Sequence, residues 1–265
     1  MVGTDLRGRV AVVTGGARGI GDAIVAALSE AGARCASFDK IAAAAPRSGV
    51  IYLDVDVTSP DSVGAGFAAV DKQLGPVGIL VNNAGIQRVG LIGQLSFADW
   101  SSVIATHLTG FFLCATQAVP RMVEQQKGAI VSIASTAAFV RLPGRGPYSA
   151  AKAGIVSLTR SLSTEVATQG IRVNAVAPGF TRTQLIQQAL DDGSLQEDWM
   201  VQRVPMRRLA TADEIARVVR FLAGDEASYI TGQTIVADGG WTIQGVNEAP
   251  AWLQKDGEPD KPAAR

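Results

Sequence analysis

Short runs of apolar residues alternate along this chain with longer segments in which apolar positions recur every three or four residues. The short runs predict β-strands, and the longer segments have the spacing of helices with one buried face. The predicted strands cover residues 10–14, 34–38, 50–53, 79–81, 129–134, 171–176 and 234–236. The predicted helices cover residues 20–31, 61–74, 100–125, 148–168 and 212–223. Such alternation is typical of a parallel sheet with helices on both faces.

The pattern from the first strand to the last fits one folding unit. We expect an α/β fold, a Rossmann-like doubly wound parallel sheet of about seven strands in three layers, forming a single domain over residues 1–246. The polar segment 181–208 follows the C-terminal end of a strand, where ligands bind in such sheets, and is our candidate for a substrate lid. Residues 247–265 contain three prolines and alternating charges, so we expect a poorly ordered polar tail.

Charge and composition exclude several classes of protein. The 265 residues include 24 basic and 24 acidic side chains, so no net charge favours nucleic acid or an anionic membrane. Cys35 and Cys114 fall within apolar segments and are expected to be buried free thiols rather than a disulfide or a metal site. The first residues lack the pattern of a secretion signal, and no run approaches the roughly 20 apolar residues that span a bilayer. We expect a cytoplasmic protein.

A glycine-rich turn follows the first predicted strand directly and leads into the first predicted helix. Its residues include Gly15, Arg18, Gly19, Ile20 and Gly21. The spacing departs from G-x-G-x-x-G, but the physics is similar, because glycines let backbone N–H groups approach a pyrophosphate and the helix N-terminus favours negative charge. We interpret the turn as the phosphate-binding loop of a dinucleotide site, with a plain tight turn as the alternative.

Asp39 ends the second predicted strand, 18 residues beyond Gly21. A carboxylate at this place meets the adenosine ribose hydroxyls in dinucleotide-binding folds and would repel a 2′-phosphate. Arg18 and Lys40 are nearby cations that could accommodate NADP. We rank the carboxylate above them and favour NAD as the cofactor.

Three polar side chains are placed to meet at one point. Ser135 follows the fifth predicted strand, while Tyr148 and Lys152 are four residues apart at the start of a predicted helix and so share one face. A free Tyr is a poor base at neutral pH, since its pKa is about 10. A nearby ammonium favours the phenolate, so the three groups suit proton transfer to or from a substrate oxygen.

With these residues in place, the sequence resembles the short-chain dehydrogenase/reductase family, in its main group of about 250 residues. The resemblance covers roughly residues 9–244. It rests on the stretches 14–21, 82–85 (Asn-Asn-Ala-Gly), 148–152, 178–179 (Pro-Gly) and 238–240 (Asp-Gly-Gly), and on Ser135 thirteen residues before Tyr148.

The resemblance implies a role for each site residue. Tyr148 is the implied acid/base on the substrate oxygen, Ser135 orients that oxygen, and Lys152 binds the nicotinamide ribose and lowers the Tyr pKa. Other implied cofactor contacts are Asp56 and Val57 at the adenine, Asn83, Ala84 and Gly85 at the adenosine ribose side, Pro178 and Gly179, and Thr181 and Thr183 at the nicotinamide carboxamide.

His107 marks a departure from the family pattern. The family usually carries Asn in an Asn-x-x-Gly stretch that holds a water relaying protons to the active-site Lys, whereas residues 106–110 here read Thr-His-Leu-Thr-Gly. His107 is the only histidine of the chain. It is predicted to relay protons, and the alternative is that it fills the Asn position by hydrogen-bonding backbone.

The substrate is open at this stage. Arg88, Arg141, Arg145 and Arg182 follow loops on the expected substrate side, and the stretch 82–88 looks like that of family members acting on sugar acids and polyols. An Arg there could bind a substrate carboxylate; solvated surface arginines are the alternative. We expect NAD-dependent oxidation of a secondary alcohol, such as a sugar acid, polyol or cyclic alcohol. The alternatives are an NADPH-dependent 3-oxoacyl thioester reductase and, more distantly, a non-catalytic dinucleotide sensor.

Family resemblance also implies a homotetramer in which the helices near 100–125 and 148–168 form one dimer face. Sedimentation is expected to give the mass of four chains, because apolar positions on these helices can form an interface as well as a core. A mass equal to one chain would remove this prediction.

Overall fold

A parallel β-sheet is the centre of the computed structural model, which describes residues 4–140, 142–193 and 195–244. The strands are β1 (Val10–Thr14), β2 (Arg34–Asp39), β3 (Ile51–Asp54), β4 (Ile79–Asn82), β5 (Gly128–Ile133), β6 (Ile171–Pro178), β7 (Thr181–Arg182), β8 (Ala210–Thr211) and β9 (Thr234–Ala237). Seven of them form the main sheet in the order β3-β2-β1-β4-β5-β6-β9, and β7 pairs with β8 separately. The predicted Rossmann-like fold is confirmed.

Helices cover both faces of this sheet. They are α1 (Gly19–Glu30), α2 (Pro60–Leu74), α3 (Phe97–Ile104), α4 (Gly110–Glu124), α5 (Gly146–Val166), α6 (Gln184–Asp191), α7 (Glu197–Val201) and α8 (Ala212–Ala223). Short 3₁₀ turns lie at Thr136–Ala138, Ala167–Gln169, Asp225–Ala227 and Trp241–Ile243.

The core lies in two layers because side chains alternate between the faces of a strand. In β1, Ala11 and Val13 pack into the cluster formed with α1 and α8, whereas Val10 and Val12 pack into the cluster formed with α2 and α4. All five residues of β1 are buried. The short apolar runs of the sequence are therefore strands covered on both sides, as expected for a parallel sheet.

The long helix predicted over residues 100–125 differs from the structure. It begins earlier, at Phe97, and a π-helical turn at Ala105–Thr109 separates α3 from α4. The apolar spacing of an α-helix gives no sign of such a turn, which inserts one extra residue and is frequent at functional sites. The short β7–β8 pair was not predicted either, since two-residue strands carry no alternating pattern.

Taken as one stretch, Phe97–Glu124 is 28 residues long and is the part of the described chain with the length and composition to cross a membrane. Side chains of α4 such as Cys114, Ala118 and Met122 are buried in the core against the sheet. A core helix of a globular fold has the same properties, so this stretch is weak support for a membrane span.

The order of the strands in the sheet determines where the candidate site lies. From β1 the chain proceeds outward to β2 and β3, then crosses back to β4 on the other side of β1. Loops that follow β1 and β4 therefore leave the sheet in opposite directions and open a crevice at their C-terminal ends. Ligands of doubly wound sheets bind at this kind of point.

Candidate active site

A cleft of about 830 Å³ runs along the C-terminal ends of the strands. Fifteen of the predicted catalytic and cofactor-binding residues line it: Gly15, Arg18, Gly19, Ile20, Gly21, Asp39, Asp56, Val57, Asn83, Ala84, Gly85, His107, Tyr148, Lys152 and Thr183. The structure thus brings the glycine turn, the end of β2 and the Tyr–Lys pair to one surface.

Close backbone packing explains the glycines of the turn. A Cβ on Gly15, whose φ is +65°, would lie 2.8 Å from Cα of Ala84, and a Cβ on Gly21 would overlap the carbonyl oxygen of Gly15. Hydrogen bonds fix the same region, because the Asn83 amide donates to the carbonyl oxygens of Thr14 and Gly15 at 3.0 and 2.9 Å. The turn is rigid and leads into the N-terminus of α1, so it fits a pyrophosphate.

The Asp39 carboxylate is held at the edge of this turn. It accepts hydrogen bonds from the backbone N–H of Ala17 at 3.1 Å and of Ile41 at 3.2 Å. Its position joins the end of β2 to the glycine turn, where a ribose would lie beside the pyrophosphate.

Lys40, the neighbouring cation, is engaged in an ion pair. Its Nζ lies 2.7 Å from a carboxylate oxygen of Asp56. Lys40 and hydrogen bonds from Thr58 together lower the pKa of Asp56 to about 2. Arg18, which precedes α1, is exposed at the cleft.

The Tyr–Lys pair lies on the first turns of α5 and meets the end of β5. Lys152 is buried, and its Nζ donates to the carbonyl oxygen of Ile133, the last residue of β5, at 2.6 Å. The same Nζ lies 5.5 Å from the centroid of the Tyr148 ring. Ser135 caps the 3₁₀ turn after β5, with its Oγ accepting from the N–H of Ala137 at 3.1 Å. Its side chain also interacts with Tyr148 and acts to lower the pKa of that residue.

Burial sets the protonation of both groups. The pKa of Tyr148 is raised above its usual value of about 10 by burial, against the opposing effects of Ser135, Arg145 and Gln87. Burial lowers the pKa of Lys152 to about 7. Tyr148 is therefore a neutral phenol at pH 7, and the lowering of its pKa by Lys152 stays a prediction.

His107 lies within the π-helical turn and is buried. Its ring meets the Tyr148 ring edge-on, with centroids 5.5 Å apart. Nε2 lies 2.9 Å from the carbonyl oxygen of Ile86 and 3.2 Å from its N–H. Burial, followed by the charge of Lys152, lowers the pKa of His107 to about 3, so the ring is neutral at physiological pH.

Four predicted catalytic or cofactor-binding residues do not line the cleft within the described part of the chain: Ser135, Pro178, Gly179 and Thr181. Ser135 still reaches the site through Tyr148. Thr181 is buried and its hydroxyl donates to the carbonyl oxygen of Gly179 at 3.1 Å, so it packs beneath the surface. The Thr183 hydroxyl caps α6 by accepting from the N–H of Ile186 at 3.3 Å.

The candidate substrate arginines differ in their partners. Arg88 pairs with Asp99 at 3.1 Å, and Arg182 pairs with Glu197. Arg145 precedes α5, and its Nη1 is buried without a hydrogen-bond partner among the described residues. Arg141 lies outside the described residues, as does the predicted tail.

Sequence reasoning missed Gln87, which lines the cleft and acts to lower the pKa of Tyr148. Its place two residues after the Asn-Asn-Ala-Gly stretch is the signal that could have identified it. Ser102 and Thr106 also line the cleft. Their helical spacing on α3 and the π turn does not indicate a place in the site.

Aromatic rings anchor the predicted lid. Phe180 stacks on Trp241 with centroids 4.4 Å apart and meets Trp199 of α7 at 5.9 Å. The Arg203 guanidinium lies 4.0 Å from the Trp199 ring centroid. The segment 181–208 is thus attached at α7, and its closing over substrate stays a prediction.

A glycine turn beside a carboxylate, joined by one cleft to a Tyr–Lys pair, defines a dinucleotide-dependent oxidoreductase site. The chain belongs to the short-chain dehydrogenase/reductase family. A family model described as enoyl-(acyl carrier protein) reductase matches residues 15–242.

Relatives of nearly the same length support this assignment. The chain is 39% identical to the 3-oxoacyl-[acyl-carrier-protein] reductase FabG of Vibrio cholerae serotype O1, covering 89% of this chain and 98% of the relative. It is 40% identical to an acetoacetyl-CoA reductase of Shinella zoogloeoides, covering 88% and 98%. A gluconate 5-dehydrogenase from Burkholderia cenocepacia J2315, solved with NADP and tartrate, is 32% identical, covers 91% of this chain and 97% of its own, and superposes with a TM-score of 0.85.

Replacing Lys152 by Met is expected to stabilise the protein most at low pH. The folded pKa of about 7 lies below the unfolded value of about 10.4. Between these values the unfolded state binds more protons, so wild-type stability rises with pH by at most about 1.4 kcal/mol per unit. The advantage of Lys152→Met should therefore be largest at pH 6 and shrink towards pH 9.5 in urea unfolding. Lys72→Met, at an exposed lysine of α2, is the control; parallel pH curves for wild type and Lys152→Met would contradict the prediction.

Proposed function

We propose that the protein interconverts a ketone and a secondary alcohol, with 3-oxoacyl thioesters as the first substrate class to consider. The observation that carries the reaction type is the placement of Tyr148 and Lys152 in the cleft, with Ser135 interacting with Tyr148 from behind it. The substrate class is supported by the two curated relatives, whose names are those of 3-oxoacyl and acetoacetyl thioester reductases. The comparisons thus favour reduction of a 3-oxoacyl thioester, the alternative drawn from the sequence, over oxidation of a sugar acid or polyol.

The neutral phenol of Tyr148 supports reduction as the favoured direction. A phenol with a raised pKa holds its proton at neutral pH and can give it to a ketone oxygen as negative charge develops there. Ser135 can hold the same oxygen by a hydrogen bond. The nicotinamide dinucleotide supplies the hydride when bound; the glycine turn, Asp39 and Lys152 are the residues that would hold it.

We propose NAD as the preferred cofactor. Asp39 is oriented at the glycine turn by Ala17 and Ile41, which supports a hydrogen bond to ribose hydroxyls and repulsion of a 2′-phosphate. Lys40 is paired with Asp56 and so less available to a phosphate. The NADP in the Burkholderia cenocepacia structure favours NADP instead. Arg18, an exposed cation of the glycine turn, could accommodate its 2′-phosphate.

A sugar acid is the second candidate substrate class. It is favoured by the tartrate bound to the structurally similar gluconate 5-dehydrogenase. In this chain Arg88 lines the cleft and is the arginine that supports carboxylate binding best, although its pairing with Asp99 opposes that role.

For His107 we propose positioning rather than proton relay. Its neutral ring and its contacts with the Ile86 backbone support the alternative in which it fills the position of the usual Asn. A homotetramer and a cytoplasmic location are retained as proposals. Phe112 of α4 and Leu158 of α5 are exposed apolar side chains on the helices of the expected dimer face.

The purified protein is expected to oxidise NADH in the presence of acetoacetyl-CoA with a higher kcat/KM than it shows for gluconate with NAD. Tyr148→Phe removes the proton donor and should lower kcat by roughly 10²–10⁴-fold. Tyr229→Phe changes a fully exposed tyrosine and is the matched control. Absorbance at the NADH band measures each rate. A higher kcat/KM for gluconate would favour the second candidate, and full activity of Tyr148→Phe would refute the mechanism.

Replacing Asp39 by Asn is expected to shift the preference towards NADP. The amide keeps an acceptor for the Ala17 N–H but removes the charge that repels a 2′-phosphate. The ratio of kcat/KM for NAD to that for NADP should fall roughly tenfold, equivalent to about 1.4 kcal/mol. Asp54→Asn on β3, which pairs with Asp39 in the sheet register, is the control. An unchanged ratio for Asp39→Asn would mean that this carboxylate does not select the cofactor.

A further inference from the structure

A second, much smaller cavity adjoins the cleft beside His107. It measures about 10 Å³ and lies where the ends of β1 and β4 meet the π turn, α4 and α5. This is close to the smallest volume that holds one water molecule. Its polar lining is Thr14, Asn82, Thr106 and His107.

Two of these residues carry a buried polar atom without a hydrogen-bond partner in the described part of the chain. These atoms are Nδ1 of His107 and Oδ1 of Asn82. Most buried polar side-chain atoms in folded proteins are paired with protein or with ordered water, because an unpaired one loses its hydration without replacement. Two residues with such atoms line one cavity of this size, which points to a shared ligand.

The hydrogen bonds of the other polar atoms of His107 and Asn82 show whether the ligand must donate or accept. Nε2 of His107 lies closer to the Ile86 carbonyl oxygen, at 2.9 Å, than to the Ile86 N–H, at 3.2 Å. We take the shorter contact as the donated one, which places the ring proton on Nε2 and leaves Nδ1 as an acceptor. The Asn82 amide nitrogen donates to Ser132 Oγ at 3.4 Å, which leaves Oδ1 as a second acceptor. A water molecule has two hydrogens to donate, and so matches two acceptors.

Neighbouring groups confine the His107 ring. A Cβ at Gly85 would lie 2.3 Å from Cε1 of His107, so the ring already packs directly against the backbone after β4. On its other side the ring meets Tyr148 edge-on at 5.5 Å. Packed interiors rarely leave polar space empty.

We propose that one water molecule binds in this cavity and donates hydrogen bonds to Nδ1 of His107 and Oδ1 of Asn82. The water fixes His107 in the Nε2–H tautomer and so holds the ring against Tyr148. Asn82, which has no role in the proposed function, becomes a positioning residue that acts through the water and His107. The inference goes beyond the proposed function and holds whichever substrate or cofactor the enzyme uses.

The wild-type chain gives a direct test, because its single histidine makes every imidazole signal that of His107. Untagged protein labelled with ¹⁵N-histidine should show the Nε2–H tautomer in long-range ¹H–¹⁵N spectra, unchanged from pH 5 to pH 9. A crystal structure at high resolution should show one water between Nδ1 and Oδ1. The Nδ1–H tautomer, or a cavity without water density, would overturn the proposal. Neither measurement depends on activity.

Two variants test the coupling to Tyr148. Asn82→Leu removes Oδ1 and fills the cavity, so His107 should lose its single tautomer and kcat should fall roughly tenfold through misplacement of the ring. Ser132→Ala keeps Oδ1 and should keep the wild-type tautomer. A merely structural role for Asn82 would lower stability without changing the His107 spectrum, and that result would refute the coupling. If Asn82→Leu does not fold, the wild-type spectrum and water density still decide the proposal.

Discussion

The junction between the ends of β1 and β4 is the constraint on which the site depends. Thr14 Oγ1 accepts hydrogen bonds from the N–H groups of Asn83 and Ala84, each at 3.0 Å, and the Asn83 amide bonds back to Thr14 and Gly15. These bonds fasten two loops that the strand order sends in opposite directions. The glycine turn and the loop leading to Gln87 therefore keep one fixed distance, and the crevice between them keeps its shape.

This junction also determines why particular glycines are required. Gly15 and Gly21 lie where the two loops come closest, and a methyl group on either would strike backbone or the Asn83 amide. Such contacts cannot be relieved by moving a flexible side chain. The glycine turn and the loop after β4 are thus held together by close backbone contacts and by the Asn83 amide.

Burial is the second organising influence. Lys152, His107 and Tyr148 are brought together in a poorly hydrated region, where the neutral form of each is favoured. A neutral His107 avoids repulsion by the Lys152 ammonium, which is the second cause of its lowered pKa after burial. In the proposed mechanism Tyr148 gives its proton to the substrate oxygen, and its raised pKa keeps it protonated at neutral pH.

The sequence predicted much of this arrangement because its signals are local. Doubly covered strands appear as apolar runs, the glycine turn follows one of them, and Tyr148 and Lys152 are one helical turn apart. What it could not predict depends on contacts between distant segments or on irregular backbone. Three findings depend on contacts between distant segments. These are the ion pair of Lys40 with Asp56, the inward packing of Thr181 and the contact of Gln87 with Tyr148. The π turn around His107 is an irregularity of the backbone.

That π turn has a consequence for how this region of the chain can change. A π turn carries one residue more than an α-helix over the same length, so the residues before it and after it are offset by about 100° in helical phase. Losing one residue from Ala105–Thr109 would restore a regular helix, but only by turning the buried face of α4, with Cys114 and Met122, away from the sheet or by swinging His107 out of the interior. A single-residue deletion in this stretch is therefore expected to disrupt either the packing of α4 or the placement of His107.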